Sequence, residues 1–165
     1  MAAPIKLISM ATPEVEVENI GDGGVILRSP QPLGEYPDSQ NAWLIAWAEE
    51  TPDAIFVADR TGPNGDWRRV TYKDFLAQVK SIGQALLNRG LSVERPVAIL
   101  SDNAVDNALL LFGAMHVGIP VAPISPAYSL MSQDFGKLKY IVETVSPGLV
   151  YVADGEKFGN ALNAI

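Results

Sequence analysis

His116 is the only histidine of the chain, and there is no cysteine. A Ser-His-Asp arrangement is thereby confined to His116, and no Gly-x-Ser-x-Gly turn supplies its serine. Near the expected end of a helix the imidazole has a simpler occupation, because a protonated ring complements the helix dipole and a neutral one caps a carbonyl. Asp102 and Asp106 are spaced to share a helical face. With no His or Cys beside them they read as a cap and a solvated first-turn acid, a divalent cation being the alternative. Gly21-Asp22-Gly23-Gly24 lacks the third spaced glycine and the strand-to-helix setting of a dinucleotide loop, so it reads as a turn. No Gly-x-x-x-x-Gly-Lys-Ser/Thr loop is present. Trp43 and Trp47 share a helical stripe with Leu44 and are read as packing anchors, with a stacking platform for a base or sugar as the alternative. The residues therefore assign no catalytic group and no metal site.

The elements that must position such residues fit within 165 residues, enough for one domain that buries about 68 to 70% of its unfolded surface without staples. The absence of cysteine excludes disulfides and thiolate metal sites and fits a reducing cytoplasm, the expected location. Met1 to Met10 is too short and too mixed for the apolar core of a secretory signal. Twelve Lys and Arg against 19 Asp and Glu give a net charge of −7, which argues against nucleic acid and anionic membrane as partners. Asn107 to Gln133 carries no Asp, Glu, Lys or Arg and is long enough to span a bilayer, but Gly113, Gly118, Pro120, Pro123 and Pro126 interrupt it. A buried helix running into a buried strand explains the same composition.

That run belongs to the central unit. Val97 to Pro126 reads as strand, helix, strand, with Ser101 and Asp102 offering capping oxygens and a right-handed crossover between parallel strands. Before it, residues 1–37 are rich in Pro and Gly and read as an irregular lead-in, with Val25, Ile26 and Leu27 able to pair across the glycine turn. A short helix is predicted between Ser39 and Thr51, then a hairpin from Ile55–Ala58 and Trp67–Val70. Thr71 with Asp74 resembles a capping box, opening a helix whose stripe is Phe75, Val79, Ile82 and Leu86 and whose stop is Gly90. A further helix is predicted over Ser132 to Val145, a third core strand over Leu149 to Val152, and the start of another helix at Asp154 to Phe158. The predicted fold class is α/β, an open, mainly parallel sheet flanked by helices and preceded by a β-hairpin, with residues 38–165 as its body. The last layer is unfinished at Ile165, so a chain truncated at its C-terminus is expected, with self-association through the exposed sheet edge.

Thr51 to Arg60 (TPDAIFVADR), Trp67 to Phe75 (WRRVTYKDF), VAILSDN and Gly113 to Ser129 (GAMHVGIPVAPISPAYS) follow one another in an order and spacing that resemble the N-terminal region of the adenylate-forming acyl- and aryl-CoA synthetases, the AMP-binding enzymes. The likeness covers roughly Ser29 to Asp154, and FGKLKYIVETVSPGLVYVAD with Gly113 to Ser129 is most similar to the feruloyl-CoA synthetase branch. The resemblance implies the incomplete N-terminal part of an AMP-binding large domain. It implies a two-step ligase: a carboxylate such as ferulate or another hydroxycinnamate attacks ATP, giving an acyl-adenylate and pyrophosphate, and the thiol of coenzyme A then displaces AMP. Mg2+ would accompany the ATP. The family's phosphate loop and catalytic lysine lie beyond Ile165, so the 165 residues alone are expected to be inactive, with no cofactor held tightly. Lys157 corresponds to a place where related ligases put a basic side chain near the nucleotide end of coenzyme A, a solvated surface lysine being the alternative. A regulatory or interaction module without activity is the rival reading. A receiver-type domain is a further one, for which Asp102 and Asp154 are a loose fit.

Overall fold

The computed structural model describes residues 12, 14–62 and 64–165. The signal-segment reading of Met1 to Met10, and Pro4, Pro13 and Pro63, lie outside them. The chain forms two compact units, Met1–Tyr36 and Pro37–Ile165. In the first, β1 (Glu16–Ile20) and β2 (Gly24–Arg28) form an antiparallel hairpin in which Val17 faces Leu27. Gly21–Gly23 makes the 3-10 turn between them, with Asp22 and Gly23 at φ 64° and 78°, so the glycine cluster is a turn.

The second unit begins with α1 (Gln40–Glu50), followed by β3 (Ile55–Thr61) and β4 (Asp66–Thr71), an antiparallel hairpin longer than predicted. Gly62 and Gly65 close its loop at φ 74° and 66°, the Gly65 amide donating to the Gly62 carbonyl at 3.2 Å. The register shifts between Ile55 and Val57, and Phe56 at that point packs against Tyr72, Phe75 and Phe112 at centroid separations of 4.7, 4.8 and 6.0 Å.

Helix α2 (Tyr72–Asn88) starts where the capping signal placed it. The Thr71 hydroxyl accepts from the Asp74 amide at 3.2 Å and donates to the Asp74 carboxylate at 2.9 Å, so the carboxylate binds the cap's hydroxyl and not its amide. Phe75, Val79, Gly83 and Leu86 are buried, and Gly90 at φ 67° lets the Leu91 amide turn back to the Leu86 carbonyl.

The sheet follows. Strands β5 (Val97–Ile99), β6 (Val121–Pro123) and β7 (Leu149–Tyr151) are parallel in the order β6-β5-β7, with Val97 opposite both Val121 and Leu149. Helix α3 (Val105–His116) links β5 to β6; α4 (Ala127–Leu130) and α5 (Gly136–Val145) link β6 to β7; α6 (Gly159–Leu162) comes last. Val97 and Ile99 pack with Leu86, Leu110 and Ala114, whereas Ala98 and Leu100 pack with Leu138, Phe158 and Ala161. Thus α2 and α3 cover one face and α5 and α6 the other, which is why β5 reads as an unbroken apolar run. A second core joins α1, the hairpin, α2 and α3 through Leu44, Val70, Phe75, Val79, Val105 and Leu109. Among the described residues no helix is long and apolar enough to cross a membrane.

Three predicted details are corrected. The helix predicted from Ser132 begins only at Gly136, because the Ser132 hydroxyl accepts from the Phe135 amide and Asp134 Oδ1 from the Gly136 amide, both at 3.0 Å, bending the chain through Phe135 at φ 56°. Residues 155–158 form a turn before α6, not the first turn of a helix. Trp43 and Trp47 are 52% and 45% exposed, while Leu44 and Asn41 take the buried positions of α1. Asn41 Nδ2 donates to the Phe112 carbonyl at 3.1 Å, so a polar residue anchors this helix.

Helices α2 and α3 touch through glycine. A Cβ on Gly113 would lie 2.6 Å from Ile82 Cγ2, and one on Gly83 would lie 3.0 Å from the Gly113 carbonyl oxygen. Gly113→Ala gains about 1 kcal/mol of helix propensity but overpacks the contact at a cost of about 1–3 kcal/mol. Net destabilisation is expected in urea denaturation; a more stable variant would show that the helices part easily. Phe75→Ala, which empties a fully buried aromatic site, should cost about 3–5 kcal/mol by the same measurement.

Candidate functional site

The helix after β5 lies on one face of the sheet and the connection after β6 on the other. In the order β6-β5-β7 the strand order reverses between β5 and β7, the usual place of a ligand crevice in an open α/β sheet, whereas the cavity here lies beyond the β5–β6 pair. The Ile124 amide still donates to the Ile99 carbonyl at 2.9 Å, and beyond that bond the strands separate. The resulting cavity, about 350 Å³, is walled by Ile99, Pro123, Ile124 and Pro126 and carries Ser101, Asn103, Asn107 and Ser125. Two hydroxyls and two amides offer both donors and acceptors, and no charged side chain lines the space. Ser101 is 4% exposed and its Oγ has no hydrogen-bond partner among the described residues.

Ser101 and Asp102 do not cap α3. The helix starts at Val105, its capping position is Ala104, which has no side-chain acceptor, and the Val105 amide instead donates to Asp59 Oδ2 of β3 at 2.9 Å. Ser101 instead borders the crevice with its hydroxyl oxygen buried, and Asn107 Nδ2 reaches back to the Asp102 carbonyl at 3.3 Å. Asp106 pairs with Arg68 of β4 at 2.9 Å, and this hydrogen bond holds the guanidinium above its ordinary pKa. Tyr151 ends β7 near both groups; burial raises its phenol pKa, the charge of Asp106 adds to the rise and Arg68 opposes it.

Lys157 lies in the turn after β7, its amide donating to Asp154 Oδ1 at 2.9 Å and its ammonium group paired with Asp102. Asp102 and Lys157 are both about half exposed, so the pair stands at the rim of the sheet's carboxyl end. Asp102 and Asp106 point to different partners, and among the described residues no three His, Cys, Asp or Glu gather. His116 is the last residue of α3. Trp43 and Trp47 line a separate, mainly apolar cavity of about 460 Å³ with Gln40, Leu44, Phe56, Tyr72 and Phe112. Sequence reasoning missed Ser101, Asn103, Asn107 and Ser125 as a group, because short polar residues beside prolines carry the signature of any loop.

Residues 44–164 match the family described as AMP-binding enzyme. The chain belongs to this family. No curated protein sequence matches it. Among solved structures it is similar to VinN, with a TM-score of 0.67 and 18% identity over 79% of this chain and 32% of that one. IdnL1 matches at 0.60 and 25% identity over 73% and 23%. The fatty acid AMP ligase from Legionella pneumophila matches at 0.58 and 18% identity over 68% and 19%. The chain thus spans about a fifth to a third of the length of these structures. The fold is that of the N-terminal part of adenylate-forming ligase domains, a parallel sheet clad in helices, and the crevice falls within the matched residues.

Removal of the Ser101 hydroxyl tests whether it serves stability. A buried hydroxyl without a partner contributes only its desolvation cost, so Ser101→Ala should match or exceed the parent's stability within about 0.5 kcal/mol; a loss of 2 kcal/mol or more would reveal an internal bond. Tyr151 makes stability depend on alkaline pH. Its folded pKa lies above the unfolded value of about 10, so its contribution is fully present below that pH and is lost as pH rises through the folded value. In a Tyr ring NMR titration one resonance should ionise late and vanish in Tyr151→Phe.

Proposed function

We propose that this chain supplies the N-terminal part of an adenylate-forming ligase that joins an aromatic carboxylic acid to coenzyme A. The match of residues 44–164 to the AMP-binding enzymes carries the reading. In the first step a carboxylate oxygen bonds to the α-phosphorus of ATP and pyrophosphate leaves. In the second the thiol sulfur bonds to the acyl carbon, its proton is lost and AMP departs. Ferulate or a related hydroxycinnamate is the proposed acid, on the wording of Gly113 to Ser129 and Phe135 to Asp154. No residue of this chain is given a part in bond making, and Mg2+ would enter with the nucleotide phosphates.

The proposed contribution of these 165 residues is to binding. Lys157 is the group for a phosphate of coenzyme A. It is half exposed, and its pairing with Asp102 is of the surface kind worth about 0–1 kcal/mol, so exchanging a carboxylate for a phosphate costs little. The neighbouring crevice, uncharged and bearing amides and hydroxyls, suits the neutral hydrogen-bonding portion of such a ligand.

The test is ferulate-dependent exchange of labelled pyrophosphate into ATP, with AMP release on adding coenzyme A, in the polypeptide that joins this chain to the rest of the family's domain. Exchange with ferulate and not with amino acids is expected. Lys157→Glu should leave exchange intact and raise the KM for coenzyme A about tenfold, the loss of one charge-assisted contact. Unchanged affinity would remove Lys157 from the site, and absence of exchange with any carboxylate would remove the ligase reading.

A further inference from the structure

In the ladder of the β3–β4 hairpin Asp59 stands directly opposite Arg68. These two neighbours reach consecutive residues of another element: Asp59 Oδ2 accepts from the Val105 amide at 2.9 Å, and Arg68 Nη2 donates to Asp106 Oδ1 at 2.9 Å. The first amides of a helix have no intrahelical acceptor, and Ala104 at the capping position has no side chain to offer one. The first bond within α3 is donated by Ala108 to the Ala104 carbonyl at 3.1 Å. The hairpin thus supplies from 46 residues away the cap that the local sequence lacks.

We propose that Asp59 and Arg68 are positioning residues for the crevice, a two-point clamp on the first turn of α3 that sets where Ser101, Asn103 and Asn107 stand. The loop from Ser101 to Ala104 has one end in β5, which is fully buried and fixed, and the other in Val105, which the clamp holds. Asn107 Nδ2 on the Asp102 carbonyl then ties the loop to the same helical turn. With both ends fixed, the side chains lining the crevice keep one arrangement; with the helix end free, the first turn frays and Asn103 and Asn107 move with it. The consequence for a ligand rests on the crevice being a binding site, whereas the clamp itself does not.

Amide hydrogen exchange on the 165-residue chain separates the two. Val105 is buried, but its amide has Asp59 alone as acceptor. In Asp59→Ala the Val105 amide should exchange at least tenfold faster, and the side-chain amide resonances of Asn103 and Asn107 should shift, while ladder amides of β3 and β4 keep their protection. Asp59→Asn retains an acceptor oxygen and should keep most of the protection, so it also covers the case in which the alanine variant fails to fold. Arg68→Ala should move the same resonances by a smaller amount. Unchanged protection of Val105 in Asp59→Ala, or a loss shared equally by amides throughout the chain, would overturn the clamp. In the polypeptide that joins this chain to the rest of the family's domain, with coenzyme A as probe, weaker binding in Asp59→Ala than in Asp59→Asn would extend the clamp to the ligand. Equal binding would confine it to the fold, and no binding by the parent would count against the crevice and leave the exchange result standing.

Discussion

Val97, Ala98 and Ile99 are shut off from water on both sides, and most of the second unit is arranged to satisfy that condition. A strand buried on two faces needs a layer on each, and parallel neighbours need crossovers long enough to supply those layers. Helix α3 meets the first demand and α5 the second. The chain leaves β5 toward one face and β6 toward the other, and the crevice lies between the two departing loops beyond Ile99 and Pro123. Its position is a consequence of the core, and only its lining is a matter of side-chain choice.

The second core obeys a different constraint, the close approach of α2 and α3. Gly83 and Gly113 let the backbones meet, and the aromatic group of Phe56, Phe75 and Phe112 fills the wedge that opens beside them, with edge-on contacts at 4.8 to 6.0 Å. This draws the β3–β4 hairpin against α3 and brings Asp59 and Arg68 within reach of Val105 and Asp106. Apolar packing thereby sets the polar contacts at the mouth of the crevice.

How far the sequence disclosed this depended on whether an element's cause was local. Helix α2 was legible in full, since Thr71, the stripe from Phe75 to Leu86 and Gly90 each act within a few residues. The three core strands were legible from their apolar runs, and the family from the wording of several segments taken together. The start of α3 was not, because its cap comes from Asp59 on a distant hairpin, and Ser101 and Asp102 carried the right chemistry in the wrong place. The tryptophan stripe misled for a related reason: helical spacing shows which residues share a face but not how deep that face sinks, and Asn41 won a buried place through a bond to the Phe112 carbonyl. Lys157 was placed at a helix start, yet the Asp154 side chain takes its amide and holds the segment as a turn.

Electrostatics links the crevice to the chain as a whole. A net charge of −7 sets up a field that disfavours anionic ligands at long range. At the carboxyl end of the sheet that field is partly offset: Asp102 is matched by Lys157 and Asp106 by Arg68, while Asp59 and Asp154 hold backbone amides and keep their charge. Within a Debye length of about 8 Å at physiological ionic strength a ligand meets these pairs, the two amide-bound carboxylates and the neutral lining, and the charges borne farther away are largely screened. Recognition there must come from hydrogen bonds and shape, with Lys157 able to lend charge only by leaving Asp102. Attraction of that kind is switched on by contact, so geometry at the first turn of α3 matters more to the crevice than the sign of the protein's total charge.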